Sequence, residues 1–138
     1  LETGREHMAR AVFEGVAYNT RWLQHHVERF TKARLDPITK VGGGARSDLW
    51  AQIFADVLVR TIPQASDPIW VNLRGAGFLA LASLGHIDWS DIPGLVPIAN
   101  VFGPDRAHRS VHDRGYKTFL AIHKANRRIY NKLNRSPR

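Results

Sequence analysis

The 138-residue sequence has no cysteine, which excludes disulfide bridges and any metal site built on thiolates. It has no long apolar run either. The greasiest stretch, Phe78 to Leu84, falls far short of the roughly 18 residues that a membrane-spanning helix needs. The first residues lack the succession of charged, apolar and small residues that marks a signal peptide. A cytoplasmic protein without membrane contact is the expectation. Acidic residues are scarce in one region only. Residues 1–100 hold ten Lys/Arg and ten Asp/Glu, whereas residues 101–138 hold ten Lys/Arg against Asp105 and Asp113, so the formal charge of +8 belongs to the last segment. A basic helix face is ordinarily a solvated one. Single-strand binding would want aromatics interleaved on that face, and Tyr116, Phe119 and Tyr130 read as the buried side instead. A nucleic-acid-binding or interaction module built on Lys117, Lys124, Arg127, Arg128, Lys132, Arg135 and Arg138 is therefore the alternative reading, not the leading one. No metal site is expected: His25 and His26 point to different helix faces, and His108 and His112 lack the glutamate of an H-E-x-x-H motif.

What is present reads as one domain of alternating elements. Thr3-Gly4-Arg5-Glu6 has the form of a capping box and predicts a helix over residues 4–32. Met8, Val12, Val16, Asn19, Leu23, Val27 and Phe30 recur there at spacings of three and four, which predicts one broad buried face, widened by Ala11, Tyr18, Trp22 and His26. Gly15 interrupts that helix and suggests close packing, while Glu14 beside it reads as an exposed helix residue or a buried polar anchor, with the sequence favouring the first. Asp36-Pro37 ends the helix region, and Ile38 to Val41 reads as a short strand. Ser47 is an N-cap candidate for a second helix carrying Leu49, Trp50, Ile53, Phe54, Val57 and Leu58. Thr61-Ile62-Pro63 is a second short strand, and its proline argues for an edge or a strand end. Asp67-Pro68 opens a third helix, about 69–84, whose Gly75, Gly77 and small neighbours would let it approach other elements closely; Gly85 caps it. A helical turn near Trp89 to Ile92, an extended piece at Ile98 to Phe102, and a last helix ending at Leu133 complete the chain. The tail from Asn134 to Arg138 is expected to be disordered.

The stretch around which these elements are organised is Lys40 to Ile53. A short apolar run enters Gly42-Gly43-Gly44, and Ser47 then opens a helix. Glycines admit positive φ and close backbone approach, and the helix N-terminus behind them favours an anion. The spacing is neither G-x-G-x-x-G nor G-x-x-x-x-G-K-[ST], so the bare turn is compatible with an ordinary strand–helix junction as well as with a nucleotide site.

Three motifs in register resemble the C-terminal domain of the FGGY family of carbohydrate kinases, most closely its xylulokinase branch. Arg10 to Ala17, with Glu14-Gly15, resembles the family's helix motif. Gly42 to Ser47, continuing through Trp50, Gln52, Ala55, Asp56 and Val57, resembles its adenosine motif, and Arg74 to Ala80 resembles its G-A-A-x-L-A segment. The resemblance implies an α/β fold: an incomplete actin/hexokinase-like (ribonuclease H-like) ATPase domain, helix-rich, with a small sheet lacking several strands. It implies an ATP-dependent sugar kinase using Mg²⁺, acting on xylulose or a related pentose or polyol. Gly43, Gly44, Ala45 and Ser47 would meet the adenosine of ATP. Gly15, Gly75 and Gly77 would permit tight packing behind that face. The family's catalytic aspartate, first phosphate loop and sugar site belong to segments before Leu1, so no catalytic residue is expected here. Asp36, Asp48, Asp56, Asp88 and Asp91 are not read as the base, the isolated chain is expected to be inactive, and the sugar would be met through a missing N-terminal domain. A two-stranded sheet is marginal alone, so strands from a longer chain or from a second copy (a homodimer) are expected to complete it.

Overall fold

Residues 2–134 are described by the structure, a computed structural model. The helix α1 (Arg5–Thr31) starts one residue later than the capping box predicts. Gly4 is its N-cap, and the Gly4 N–H donates to His7 Nδ1 at 3.0 Å, so a histidine rather than Glu6 closes the first turn. After α1 the chain turns through Arg34 to Pro37, and Ile38 and Lys40 run beside the strand β1 (Ile62–Ala65). The Ile38 N–H donates to Thr61 O at 3.0 Å, and the Lys40 N–H donates to Pro63 O at 2.8 Å. Only one parallel bridge forms, between Lys40 and Gln64, so the predicted strand is reduced to an extended segment.

On its other side β1 pairs antiparallel with β2 (Ile98–Phe102), in the register Ile62 to Phe102 and Gln64 to Asn100. Of the two places that Pro63 allows, the edge is excluded because β1 has neighbours on both sides, and the strand end holds, since Pro63 is the second residue of β1. Pro63 lacks one N–H toward the 38–40 segment, yet its carbonyl still accepts there.

The helix α2 (Asp48–Leu58) is the centre of the molecule because it is apolar on two faces. Ile53 and Val57 pack with Ala17 and Tyr18 of α1, joined by Phe119 and Tyr116 of α5 (Arg109–Leu133). Ala51, Ala55 and Leu58 pack with Ile62, Ile38 and Phe102 on the sheet side. Three layers result: the α1/α5 pair, α2, and the sheet. Burying a side chain such as Ile53 fully contributes about 1.5–3 kcal/mol, so α2 holds the layers together.

Outside this core the expectations fail in one consistent way. The inward stripe of α1 consists of Phe13, Ala17, Tyr18, Arg21, Gln24 and Glu28. The predicted stripe of Met8, Val12, Val16, Leu23 and Phe30 is exposed, Phe30 to 89%. A 3-10 turn at Pro68–Trp70 leads into α3 (Val71–Ser83), which has no buried residue. Asp67 precedes that turn with φ +48° and makes no side-chain cap. Gly85 closes α3 with φ +74°, as read. The short helix α4 (Ile92–Leu95) lies a few residues beyond the expected turn. On α5, Tyr116 and Phe119 are half-buried, but Ile122, Ile129 and Leu133 are exposed. Asn134 closes α5 through its N–H to Tyr130 O at 3.0 Å, and the rest of the expected disordered tail, 135–138, lies outside the described residues. Among the described residues no helix is long and apolar enough to cross a membrane.

Candidate functional site

The three glycines between the 38–40 segment and α2 are not equivalent. Gly42 has φ +84°, which an L side chain rarely adopts, and its N–H donates to Pro68 O at 2.8 Å. Gly44 needs to be small for another reason: a Cβ there would stand 2.5 Å from Cζ3 of Trp50. Gly43 needs neither. It is exposed, and nothing lies within 4 Å of the place a Cβ would take. Gly43–Arg46 form one 3-10 turn, with Ala45 fully buried at its floor. Ser47 then caps α2, its Oγ accepting from the Trp50 N–H at 3.2 Å. Four of the expected residues, Gly43, Gly44, Ala45 and Ser47, are thus brought together in one turn.

The other three behave differently. Nothing within 4 Å would meet a Cβ at Gly15, Gly75 or Gly77, and Gly75 and Gly77 are exposed on α3. Among the described residues nothing packs close enough to these three positions to require a glycine. Gly15 lines the groove between α1 and α5 together with Glu14, Tyr18 and Gly115.

The turn is held by residues that the motif reading passed over. Gln64 is buried on β1; its Nε2 donates to Ala45 O and, at 3.0 Å, to Asp48 Oδ1, while its Oε1 accepts from Asn100 Nδ2 at 2.9 Å. One amide thereby ties the turn, the first residue of α2 and β2 together. A polar residue inside a short inward-facing strand was the available signal. Trp50 braces the turn from the α1 side. Its ring stacks on Phe13 at 4.9 Å, and its Nε1 donates to Phe13 O at 3.3 Å. Lys40 lies under the same ring, with Nζ 4.3 Å from the Trp50 centroid, and burial brings its pKa down to about 8.

A second polar cluster joins α1, α2 and α5. Tyr18 Oη lies 3.2 Å from Nδ1 of the buried His112 and donates to Glu14 Oε2 at 3.4 Å. Burial, then the Glu14 charge beside it, pushes the Tyr18 pKa up to about 12, and burial also lowers that of His112. Glu14 is accordingly a half-buried anchor, the less favoured of its two sequence readings. Asp56, buried in α2, accepts from Gln52 Nε2 and the Asp105 N–H, each at 2.8 Å, and meets His108 Nδ1 at 3.0 Å. These bonds occupy both histidines of the i, i+4 pair. Among the described residues no three His, Asp or Glu converge to hold a metal.

The family model described as the FGGY family of carbohydrate kinases, C-terminal domain, matches residues 1–76, the region containing α1, the glycine turn and α2. A glycerol kinase of Natranaerobius thermophilus is 30% identical over 104 residues, covering 75% of this chain and 21% of its own length. A xylulose kinase of Staphylococcus epidermidis is 28% identical over 125 residues, covering 88% of this chain and 24% of its own. The crystal structure of xylulose kinase from Rhodospirillum rubrum superposes with a TM-score of 0.74 at 29% identity, over 95% of this chain and 27% of that one. The chain spans about a fifth to a quarter of the length of these curated relatives.

Proposed function

The chain belongs to the FGGY family of carbohydrate kinases and has that family's actin/hexokinase-like fold, and from this premise we propose that it is the nucleotide-binding C-terminal part of an ATP-dependent sugar kinase. The reaction is transfer of the ATP γ-phosphoryl group to a sugar hydroxyl. Such transfer rests on positioning and charge neutralisation more than on covalent protein chemistry. In this reading Gly43, Gly44, Ala45 and Ser47 form the surface against the adenosine, and the groups that act on the γ-phosphate and the sugar lie elsewhere in the polypeptide. Among the described residues no three His, Asp or Glu converge into a cage for Mg²⁺. The preferred substrate is xylulose or a related pentose or polyol, supported by xylulose kinases standing among both the sequence relatives and the solved neighbours. The glycerol kinase relative makes glycerol the comparison substrate.

The observation that carries the proposal is Gly43. The fold accounts for Gly42 through its positive φ and for Gly44 through Trp50, but nothing among the described residues requires a glycine at 43. Open, exposed backbone at the head of α2 suits close approach of a ligand. In the full polypeptide, Gly43→Ala should leave the unfolding free energy within about 0.5 kcal/mol of wild type. It should raise KM for ATP roughly tenfold, the kinetic counterpart of about 1.4 kcal/mol. Gly44→Ala is the control: its Cβ drives into Trp50 and should reduce stability by about 1–3 kcal/mol. An unchanged KM for ATP in Gly43→Ala would remove the turn from the nucleotide site. Assays with D-xylulose, glycerol and gluconate then rank the acceptor.

A further inference from the structure

One residue on the inner face of β1 is more than packing asks for. Strand alternation places Ile62 and Gln64 on the same side of β1, and both are buried. Ile62 packs with Ala55 and Leu58 in the apolar layer between α2 and the sheet. Gln64 lies against the start of α2, where an aliphatic side chain would fill the same place with no polar atoms to satisfy. Its amide is instead engaged at both atoms. Nε2 donates to Ala45 O and, at 3.0 Å, to Asp48 Oδ1, and Oε1 accepts from Asn100 Nδ2 at 2.9 Å. The bond from Asn100 brings in a strand 36 residues further along the chain. The β1–β2 ladder also changes register directly after Gln64. Gln64 pairs with Asn100 but Ala65 pairs with Ile98, so Ala99 has no opposite number. Irregularities of this kind re-aim a side chain, and they recur next to active sites.

A hydrogen bond does here what apolar contact cannot. Apolar burial is non-directional, whereas a bond to Ala45 O fixes the orientation of the peptide unit that follows. Ala45 is the buried floor of the 3-10 turn Gly43–Arg46. The first two amides of that turn, Gly43 and Gly44, find no acceptor among the described residues. With the Ala45 carbonyl tied to β1 and Asp48 held by the same amide, both ends of the turn are fixed. The exposed backbone at Gly43 then keeps one arrangement at the head of α2.

We propose that Gln64 is a positioning residue for nucleotide binding: steadied by Asn100, it presets the glycine turn in the form that receives the adenosine. This rests on the reading of that turn as the nucleotide site. Gln64 itself touches no nucleotide and acts through Ala45 and Asp48. In the full polypeptide, KM for ATP, KM for the sugar, kcat and the calorimetric Kd of ADP are measured side by side. Gln64→Leu makes none of the three bonds. It should raise KM for ATP and Kd for ADP roughly tenfold, with KM for the sugar and kcat at saturating ATP within about twofold of wild type. A residue that only held the fold together would instead lower the active fraction, and with it kcat, at unchanged KM. Asn100→Ala, at an exposed position, should raise the two nucleotide constants about threefold. Both substitutions act through one amide, so the double variant should stay near tenfold and not reach the product, roughly thirtyfold. Reaching that product would overturn the shared route. Should Gln64→Leu fail to fold, Asn100→Ala decides alone, and nucleotide constants equal to wild type overturn the proposal. Gly43→Ala in the same series separates the two readings. If it raises KM for ATP while the folded Gln64 and Asn100 variants do not, the positioning role is lost and the nucleotide site stands. If none of the three raises it, the nucleotide reading falls and the positioning role falls with it.

Discussion

Lys40 shows how much a single residue can carry beside a functional turn. Its ammonium lies 4.3 and 4.8 Å from the ring centroids of Trp50 and Phe54 and has no hydrogen-bond partner among the described residues. The cation–ring attraction, roughly 0.5–2 kcal/mol, offsets only part of the desolvation that brings its pKa from 10.5 to about 8. The folded pKa lies below the unfolded one, so the penalty is fully present below about pH 8. It shrinks as pH rises toward 10.5 and is absent above that. Lys40→Met keeps the length and removes the charge. It should stabilise the protein by about 1–2 kcal/mol at pH 7, and the advantage should vanish by pH 10.5 in urea titrations at both values. A Met variant less stable than wild type at pH 7 would show that the ring contacts outweigh desolvation. The position of this lysine was legible, since the two-residue alternation that turns Ile38 into the sheet-side core turns Lys40 inward too. Its aromatic roof was not, because Trp50 and Phe54 reach it from a different element. The same applies to Gly44: the motif named the residue, but only the fold shows that Trp50 is what it makes room for.

At the scale of elements, the crossing of α1 and α5 depends on a glycine inside α5. The helix α5 runs straight through Gly115, where a Cβ would collide with the Tyr18 hydroxyl. A glycine inside a helix costs about 1 kcal/mol relative to alanine, yet here the missing methyl lets Tyr18 reach His112. Gly115→Ala should therefore destabilise, by about 1–3 kcal/mol net, against the gain in helix propensity. Loss of the Tyr18–His112 bond should appear as a downfield change in the His112 ring signals by NMR. A stabilised variant with unchanged His112 signals would contradict this packing. Helix positions were legible because caps and breakers act locally: Ser47, Pro37 and Gly85 lie where the chain changes direction. Helix faces were not. The strongest apolar stripe of α1 points outward, and the packed face carries Arg21, Gln24 and Glu28. Periodicity reports that a face is apolar, not which neighbour covers it. A half-polar face can win the core position when its polar atoms find partners, as Glu28 does with Arg60 and the Leu35 amide.

At the scale of the molecule those outward stripes become one property of the chain. Met8, Val12, Leu23 and Phe30 on α1 and Leu73, Leu79 and Leu84 on and after α3 are all more than half exposed, which is far more apolar surface than scattered side chains account for. Contiguous patches of this kind mark surfaces that other protein covers. The matched relatives are four to five times longer than their shared region, and a two-stranded sheet is marginal by itself. The 138 residues expressed alone should therefore associate through these faces. Sedimentation velocity should give species heavier than 15.6 kDa whose share grows with concentration. Replacing Leu23 and Phe30 with Lys should shift that distribution toward the monomer without disturbing α2, whose packing uses the opposite side of α1. The same pair of substitutions also tests what covers the stripe in the full polypeptide. If the rest of the chain does, two lysines placed against it should lower the unfolding free energy by several kcal/mol, as unpaired charges at a buried contact do. If full-length stability is unchanged while association of the 138 residues is still reduced, the stripe is free in the full polypeptide and is a surface for a second copy.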